Sequence, residues 1–94
     1  MATATWNGTV IAKSDETVVV EGNHYFPPES ISGDVLESTD RRTHCPWKGD
    51  ASYFDVVVDG ERSTNAAWTY VDPKDAASNI KDHVAFYRVV TVTD

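Results

Sequence analysis

Two dipeptides constrain this chain more than any other feature. Asn7-Gly8 lies between Thr3-Ala4-Thr5-Trp6 and Thr9-Val10-Ile11-Ala12, and Asp59-Gly60 lies between Tyr53–Val58 and Glu61–Thr64. A two-residue hairpin turn needs positive φ at its centre, which Asn, Asp and Gly tolerate, so each dipeptide predicts an antiparallel hairpin. Lys13–Glu16 is a polar break, after which Thr17-Val18-Val19-Val20 reads as a further strand. Gly22-Asn23 punctuates before Tyr25-Phe26, and Pro27-Pro28 ends that extended piece because proline has no N–H to give to a ladder. Within Tyr53–Val58, Phe54, Val56 and Val58 share one face, and Tyr53, Asp55 and Val57 share the other. Both faces are largely apolar, which places this strand in the middle of a sheet. Asn65–Val71 reads as another strand, and Arg88–Thr93, carrying Val89, Val90, Thr91 and Val92, as a closing one.

One helix is expected late in the chain. Asp72 suits a cap, Pro73 the first helical position, and Asp75 the positive end of a helix dipole. Ala76, Ile80, Val84 and Tyr87 then recur at helical spacing as a buried stripe. The expected fold class is mainly β with one short helix (α+β), its strands antiparallel, in a single domain over residues 1–94.

Composition bounds the function classes. A chain of 94 residues buries a compact core and no more than one. Fifteen Asp and Glu against eight Lys and Arg give a net charge of −7, which repels phosphate backbones and argues against nucleic acid as a partner. No apolar run approaches the roughly 20 residues of a membrane helix, and no charged-then-apolar signal segment opens the chain, so no membrane partner is expected. Cys45 is the one cysteine. It cannot form an internal disulfide and suits a reducing compartment, so the expected location is cytoplasmic.

The window Arg41-Arg42-Thr43-His44-Cys45-Pro46-Trp47-Lys48-Gly49 departs from this acidic background: from Arg41 to Lys48 it holds three cations and no acid. A local cationic patch on an acidic molecule captures a small anion without attracting a polyanion. The plainer alternative pairs Arg41 and Arg42 with Glu37 and Asp40 on the surface. Cys45 becomes a nucleophile only as the thiolate, which a neighbouring cation such as Lys48 favours. The competing role for Cys45 is simple packing, common for a free cysteine. His44 is the weaker base, since successive residues of an extended segment point to opposite sides. Pro46 stiffens the loop and Gly49 permits a tight exit. A zinc site wants four Cys or His ligands in close pairs, and Cys45, His24, His44 and His83 offer no such spacing, so no metal is expected. No phosphate loop or dinucleotide fingerprint occurs, and no cofactor is expected. Three Trp, four Tyr and three Phe are many rings for so short a chain. Most belong to a core, but some are able to line a mouth for a flat or cationic ligand, Trp47 above all because it stands on a loop.

Several of these segments together resemble the family called domain of unknown function 427. They are Tyr25-Phe26-Pro27, then Thr43–Tyr53 with Cys45-Pro46-Trp47-Lys48-Gly49 at its centre, then Ala66-Ala67-Trp68-Thr69-Tyr70 with Pro73, and Ala85-Phe86-Tyr87. The resemblance covers almost the whole chain in the expected order. It implies a small, mostly antiparallel β domain with one helix, similar to the tent-shaped sheets of zinc-binding nucleotide-exchange and thalidomide-binding modules, whose paired cysteines are missing here. The family is also catalogued as nucleotidyltransferase-like, yet no Gly-Ser followed by paired aspartates occurs in this chain. The matching positions are Tyr25, Phe26, Pro27, Cys45, Pro46, Lys48, Gly49, Tyr53, Trp68 and Tyr70.

These residues lead to one expectation: a small-ligand binding or catalytic module with a pocket around Cys45–Gly49. Cys45 and Lys48 would be its catalytic pair, and Tyr25, His44, Trp47, Tyr53, Trp68 and Tyr70 its binding walls. Lys48 would hold an anionic group. A lysine among rings is costly without a negative partner. If that partner is internal, for example Asp50 or Asp55, the alternative follows: a non-catalytic protein-interaction domain whose motif residues are structural.

Overall fold

The computed structural model describes residues 1–94. β1 (Ala2–Trp6) and β2 (Thr9–Ser14) form a hairpin, and β9 (Thr91–Thr93) pairs with the free side of β1, giving the order β2-β1-β9. β3 (Val18–Val20) and β4 (Asn23–Tyr25) form a two-stranded ribbon. β5 (Leu36–Cys45), β6 (Gly49–Val58), β7 (Glu61–Thr69) and β8 (Val84–Phe86) form a four-stranded sheet in that order, and every pairing is antiparallel. The doubly apolar strand over Tyr53–Val58 lies inside this sheet, as its pattern requires.

The two hairpin dipeptides turn as expected, with φ of 54° and 78° at Asn7 and Gly8 and 50° and 81° at Asp59 and Gly60. A third turn of the same kind joins β3 to β4, and it uses Glu21-Gly22, at φ of 54° and 79°, rather than Gly22-Asn23. Glutamate is uncommon at such a position, where Asn or Asp is the easier residue. β5 carries little apolar alternation and is largely exposed, as an edge strand is, so no hydrophobic pattern marks it in the sequence.

Each face of the four-stranded sheet buries a different core. Tyr53 pairs with Trp68 and Trp68 with Ala85, while the adjacent row joins Phe54, Ala67 and Phe86. Neighbouring residues on a strand point to opposite faces, so the two rows face away from each other. The Phe54 face packs on the β2-β1-β9 sheet through Ala2, Ala4, Ile11 and Ala12, with Phe26 between them. The Tyr53 face is covered by the β3–β4 ribbon and by Ala77 and Ile80.

Two irregularities bend this sheet at one level. Between Ser38 and Arg42 on one side of β6, and between Ser63 and Ala67 on the other, the neighbouring strand spends four residue steps where β6 spends two. Asn65 sits in the second of these at φ 52°, its N–H donating to Asp55 Oδ1 at 2.7 Å. Arg62 donates to the other Asp55 oxygen at 2.7 Å, and Thr39 Oγ1 donates to Asn65 Oδ1 at 2.7 Å. Side chains thus replace the ladder bonds that the bulges forfeit.

The short helix differs from its expectation in kind and position. Asp75–Ile80 is a 3₁₀ segment, with non-helical geometry at Ala77 and no side-chain cap. Val84 belongs to β8, and Ala76 and Tyr87 are exposed, so the expected four-residue stripe is not a buried face. The reason is tertiary. Lys74 N–H donates to Lys48 O, Asp82 N–H to Tyr70 O and Val84 N–H to Phe26 O. The last two take N–H groups that a continuing α-helix would need, and all three tie the segment to distant parts of the chain. A second 3₁₀ turn covers Pro28–Ser30. The closing strand is also shorter than expected, since Val90 N–H bonds back to Tyr87 O and the chain turns before β9.

Candidate functional site

Lys48 is the focus of the Cys45–Gly49 loop. β5 ends at Cys45, β6 begins at Gly49, and Cys45 pairs directly with Gly49, so Pro46-Trp47-Lys48 is the whole hairpin connection. Two bonds from the segment after β7 pin it: Lys74 N–H to Lys48 O at 2.8 Å and Lys74 Nζ to Pro46 O at 2.7 Å. Gly49 adopts φ 111° with the backbone of Asp72, Pro73 and Lys74 about its missing Cβ, the nearest atom at 3.5 Å. A side chain there is strained by the dihedral alone.

That loop turns the Lys48 side chain inward, where it is 8% exposed. Its ammonium pairs with Glu21 from the β3–β4 turn and lies 5.4 Å from the Trp47 ring centre and 5.5 Å from that of Tyr70. Burial pulls the Lys48 pKa down, but the Glu21 hydrogen bond and the nearby Tyr25 and Tyr70 phenols outweigh it, and the net value stands above an ordinary lysine. The hydrogen bond from Lys48 holds the Glu21 carboxyl below the ordinary glutamate value. Burial raises the Tyr70 phenol, against the lowering pull of Lys48.

Around this ion pair the structure brings together residues from four strands. Tyr25, fully buried, accepts a hydrogen bond from Trp68 Nε1 at 3.1 Å and lies 6.3 Å from the Trp68 ring and 6.5 Å from that of Tyr70. Cys45, half-buried, packs against the same cluster. Trp47 is 41% exposed and directs Nε1 to the Glu21 carboxylate at 3.4 Å. Tyr53 shares the cluster, yet its hydroxyl is engaged by Thr43 Oγ1 at 2.9 Å and its ring by Arg41 at 5.0 Å. Burial alone would raise the Tyr53 phenol; the Thr43 hydrogen bond and the Arg41 cation bring it below its ordinary value.

His44 stands apart from the cluster. It is exposed and bonds Asp50 Oδ1 across the hairpin at 2.7 Å. The surface pairing of Arg41 and Arg42 with Glu37 and Asp40 does not form; Glu37 pairs with Arg62, and Arg42 donates to the backbone carbonyls of Thr39 and Arg41. Asp50 and Asp55, the internal partners considered for Lys48, are taken by His44 and Arg62. Glu21 takes their place. Its signal in the sequence is a glutamate before a glycine at a hairpin turn, where Asn or Asp is usual. No group of three or more His, Cys, Asp and Glu side chains is placed to hold a metal ion. No helix is long and apolar enough to cross a membrane.

Two clefts indent the surface. One, of about 500 Å³, runs beside Trp68, Tyr87 and Arg88. The other, of about 520 Å³, lies between Leu36, Phe54 and Val84 on the opposite sheet face. Neither is lined by Cys45 or Lys48.

The geometry defines a small antiparallel β protein with a buried lysine ringed by aromatic side chains. The chain matches the family model of the domain of unknown function DUF427 over residues 1–93, and it belongs to that family. No curated protein matches it.

Proposed function

We propose that this protein is a small-ligand binding module whose site is the Lys48 ammonium, and that a ligand's anionic group binds there by displacing Glu21. The observation that carries this reading is the resident carboxylate. Glu21 occupies a left-handed turn position that glutamate rarely takes, and its half-exposed side chain caps an almost fully buried ammonium. Strain kept at one residue while its carboxylate covers a buried cation is the pattern of an internal stand-in. Tyr25 and Tyr70 stand beside the ammonium, Trp68 packs on Tyr25, Trp47 directs its indole to Glu21, and Cys45 lies in the same apolar packing. An acidic exterior around one cation suits a small mono- or dianion and keeps polyanions away.

The test is thermal-shift titration with acetate, benzoate and inorganic phosphate on the native chain and on Glu21→Gln. The expected result is saturable stabilisation by at least one anion, with affinity at least about tenfold higher in Glu21→Gln, where the ammonium is no longer occupied by its own carboxylate. Absence of stabilisation in both proteins overturns the reading. A catalytic role for Cys45 adds a further expectation: iodoacetamide labels it in the folded chain, and a bound anion protects it. Absence of labelling in the folded chain removes the nucleophile and leaves binding.

A second reading rests on the exposed indole of Trp47. If Lys48–Glu21 is a permanent ion pair, the loop is a rigid display for Trp47 and the protein is an interaction domain, cytoplasmic as its single thiol suggests. That reading expects Trp47→Ala to leave stability unchanged and Glu21→Gln to bind no anion.

A further inference from the structure

The cleft beside Trp68 uses neither Cys45 nor Lys48, and its chemistry is distinct. It opens where the β3–β4 ribbon, β7, β8 and the turn into β9 meet. Trp68, Phe86 and Tyr87 contribute rings, Val90 contributes apolar floor, and His24 and Arg88 stand among them. No Asp or Glu lines it, on a chain with fifteen of them. Arg88 is exposed and enters no ion pair. The other arginines are all engaged: Arg62 with Asp55 and Glu37, Arg41 over Tyr53, Arg42 on backbone carbonyls.

The rings are also set to stack rather than to donate. The Trp68 Nε1–H is committed to the Tyr25 hydroxyl, and the Trp68 and Tyr87 rings lie 4.8 Å apart at 57°. His24 turns Nδ1 to Thr17 Oγ1 at 2.8 Å. An occupant meets π surface, apolar floor, the neutral polar groups of Asn23, His24 and Thr91, and one charged group, the unpaired Arg88 guanidinium. A volume of about 500 Å³ is that of a site for a compound of one or two fused rings.

We infer that this cleft is a second binding site, for a planar aromatic acid: the ring lies against Trp68 and Tyr87, and its carboxylate or sulfonate pairs with Arg88. Aromatic walls supply stacking, and the guanidinium supplies a two-pronged partner for an oxyanion. The two sites share the Trp68 ring but no cation, so dependence on Arg88 distinguishes this cleft from anion binding at Lys48.

The experiment is a titration with 2-naphthoate followed by the three indole N–H signals and the backbone amides in proton–nitrogen correlation spectra. The expected result is a saturable shift of the Trp68 indole with the amides of Gly22, Arg88 and Thr91, while the Trp6 indole stays in place. Arg88→Gln, a change at an exposed residue, is expected to weaken 2-naphthoate at least about tenfold, and the neutral 2-naphthamide to bind the native chain weaker by a similar factor. Shifts that do not saturate, equal affinity in Arg88→Gln, or perturbation centred on the Trp47 indole each overturn the inference. The last of these would instead favour the Lys48 site.

Discussion

The two faces of the four-stranded sheet solve the same burial problem with different chemistry. Toward β2-β1-β9 the interior is alanine, valine, isoleucine and phenylalanine. Toward the β3–β4 ribbon three tyrosines stand among alanines and an isoleucine, with tryptophan and cysteine at the margin and the Lys48 ammonium beside them. The first core asks only for volume and shape, since its side chains have no polar atoms to satisfy. The second must place hydroxyls, an indole N–H and a cation so that each finds a partner, and no buried side-chain polar atom is left without one. Of the ten matching positions, Tyr25, Cys45, Tyr53, Trp68 and Tyr70 belong to or pack against the second core and Phe26 belongs to the first, together with Ala66, Ala67 and Phe86 of the resembling segments. The first face is built for packing alone, and the second holds the polar groups on which the proposed anion site rests.

Four perturbations test that contrast, beginning with the largest. Phe26→Ala empties a fully buried site in the aliphatic core and is expected to cost about 3–5 kcal/mol in urea unfolding. A loss that large removes much of the stability of a domain of this size. A cost under about 1 kcal/mol would mean that this face is not the main support. Gly49→Ala forces a Cβ onto φ 111° and is expected to cost about 1–3 kcal/mol, with loosening of the Pro46–Lys48 loop seen in amide exchange. Tyr25→Phe keeps ring volume and removes only the acceptor of Trp68 Nε1, so about 1 kcal/mol is expected. A neutral result would show that the phenolic core is as indifferent to polar detail as the aliphatic one.

The smallest effect is in pH dependence. Glu21 has its pKa lowered in the folded state, so the stability it contributes is complete above the ordinary glutamate value and is lost as pH falls through the lowered one. Lys48 has its pKa raised, so its contribution is complete below the ordinary lysine value and is lost as pH rises through the raised one. Thermal unfolding of Glu21→Gln is accordingly expected to converge with that of the native chain in acid and to fall below it on the neutral plateau. A constant offset at every pH would remove the ion pair as a stabilising contact. Asp55 has the same sign: the Asn65 backbone N–H lowers its pKa first and Arg62 assists, so acid also loosens the double bulge.

Legibility followed the range of the interactions involved. Asn7-Gly8 and Asp59-Gly60 specify their hairpins because the need for positive φ is met within the dipeptide. The two-faced apolar pattern of Tyr53–Val58 is likewise local, and it places β6 inside the sheet. The segment after Asp72 misleads because its helical spacing is real but weaker than the long-range bonds from Lys74, Asp82 and Val84. β5 is nearly silent, since an exposed edge strand needs no apolar rhythm. Within the candidate site, Cys45, Trp47, Lys48 and Gly49 fall within five consecutive positions and stand out by charge and residue type. Glu21 does not stand out, because only folding sets a residue 27 positions away against Lys48.

By itself the sequence determined the hairpins, the predominance of strands, and the cationic, ring-flanked loop on an acidic chain, because turn dihedrals, side-chain alternation and formal charge are properties of neighbouring residues. Only the tertiary structure decided that Lys48 points inward to Glu21, that His44 faces water, and that Arg88 stands unpaired beside Trp68. Those outcomes depend on which polar groups meet when distant strands pack, and burial forces each charge either to find a partner in the fold or to remain at its surface.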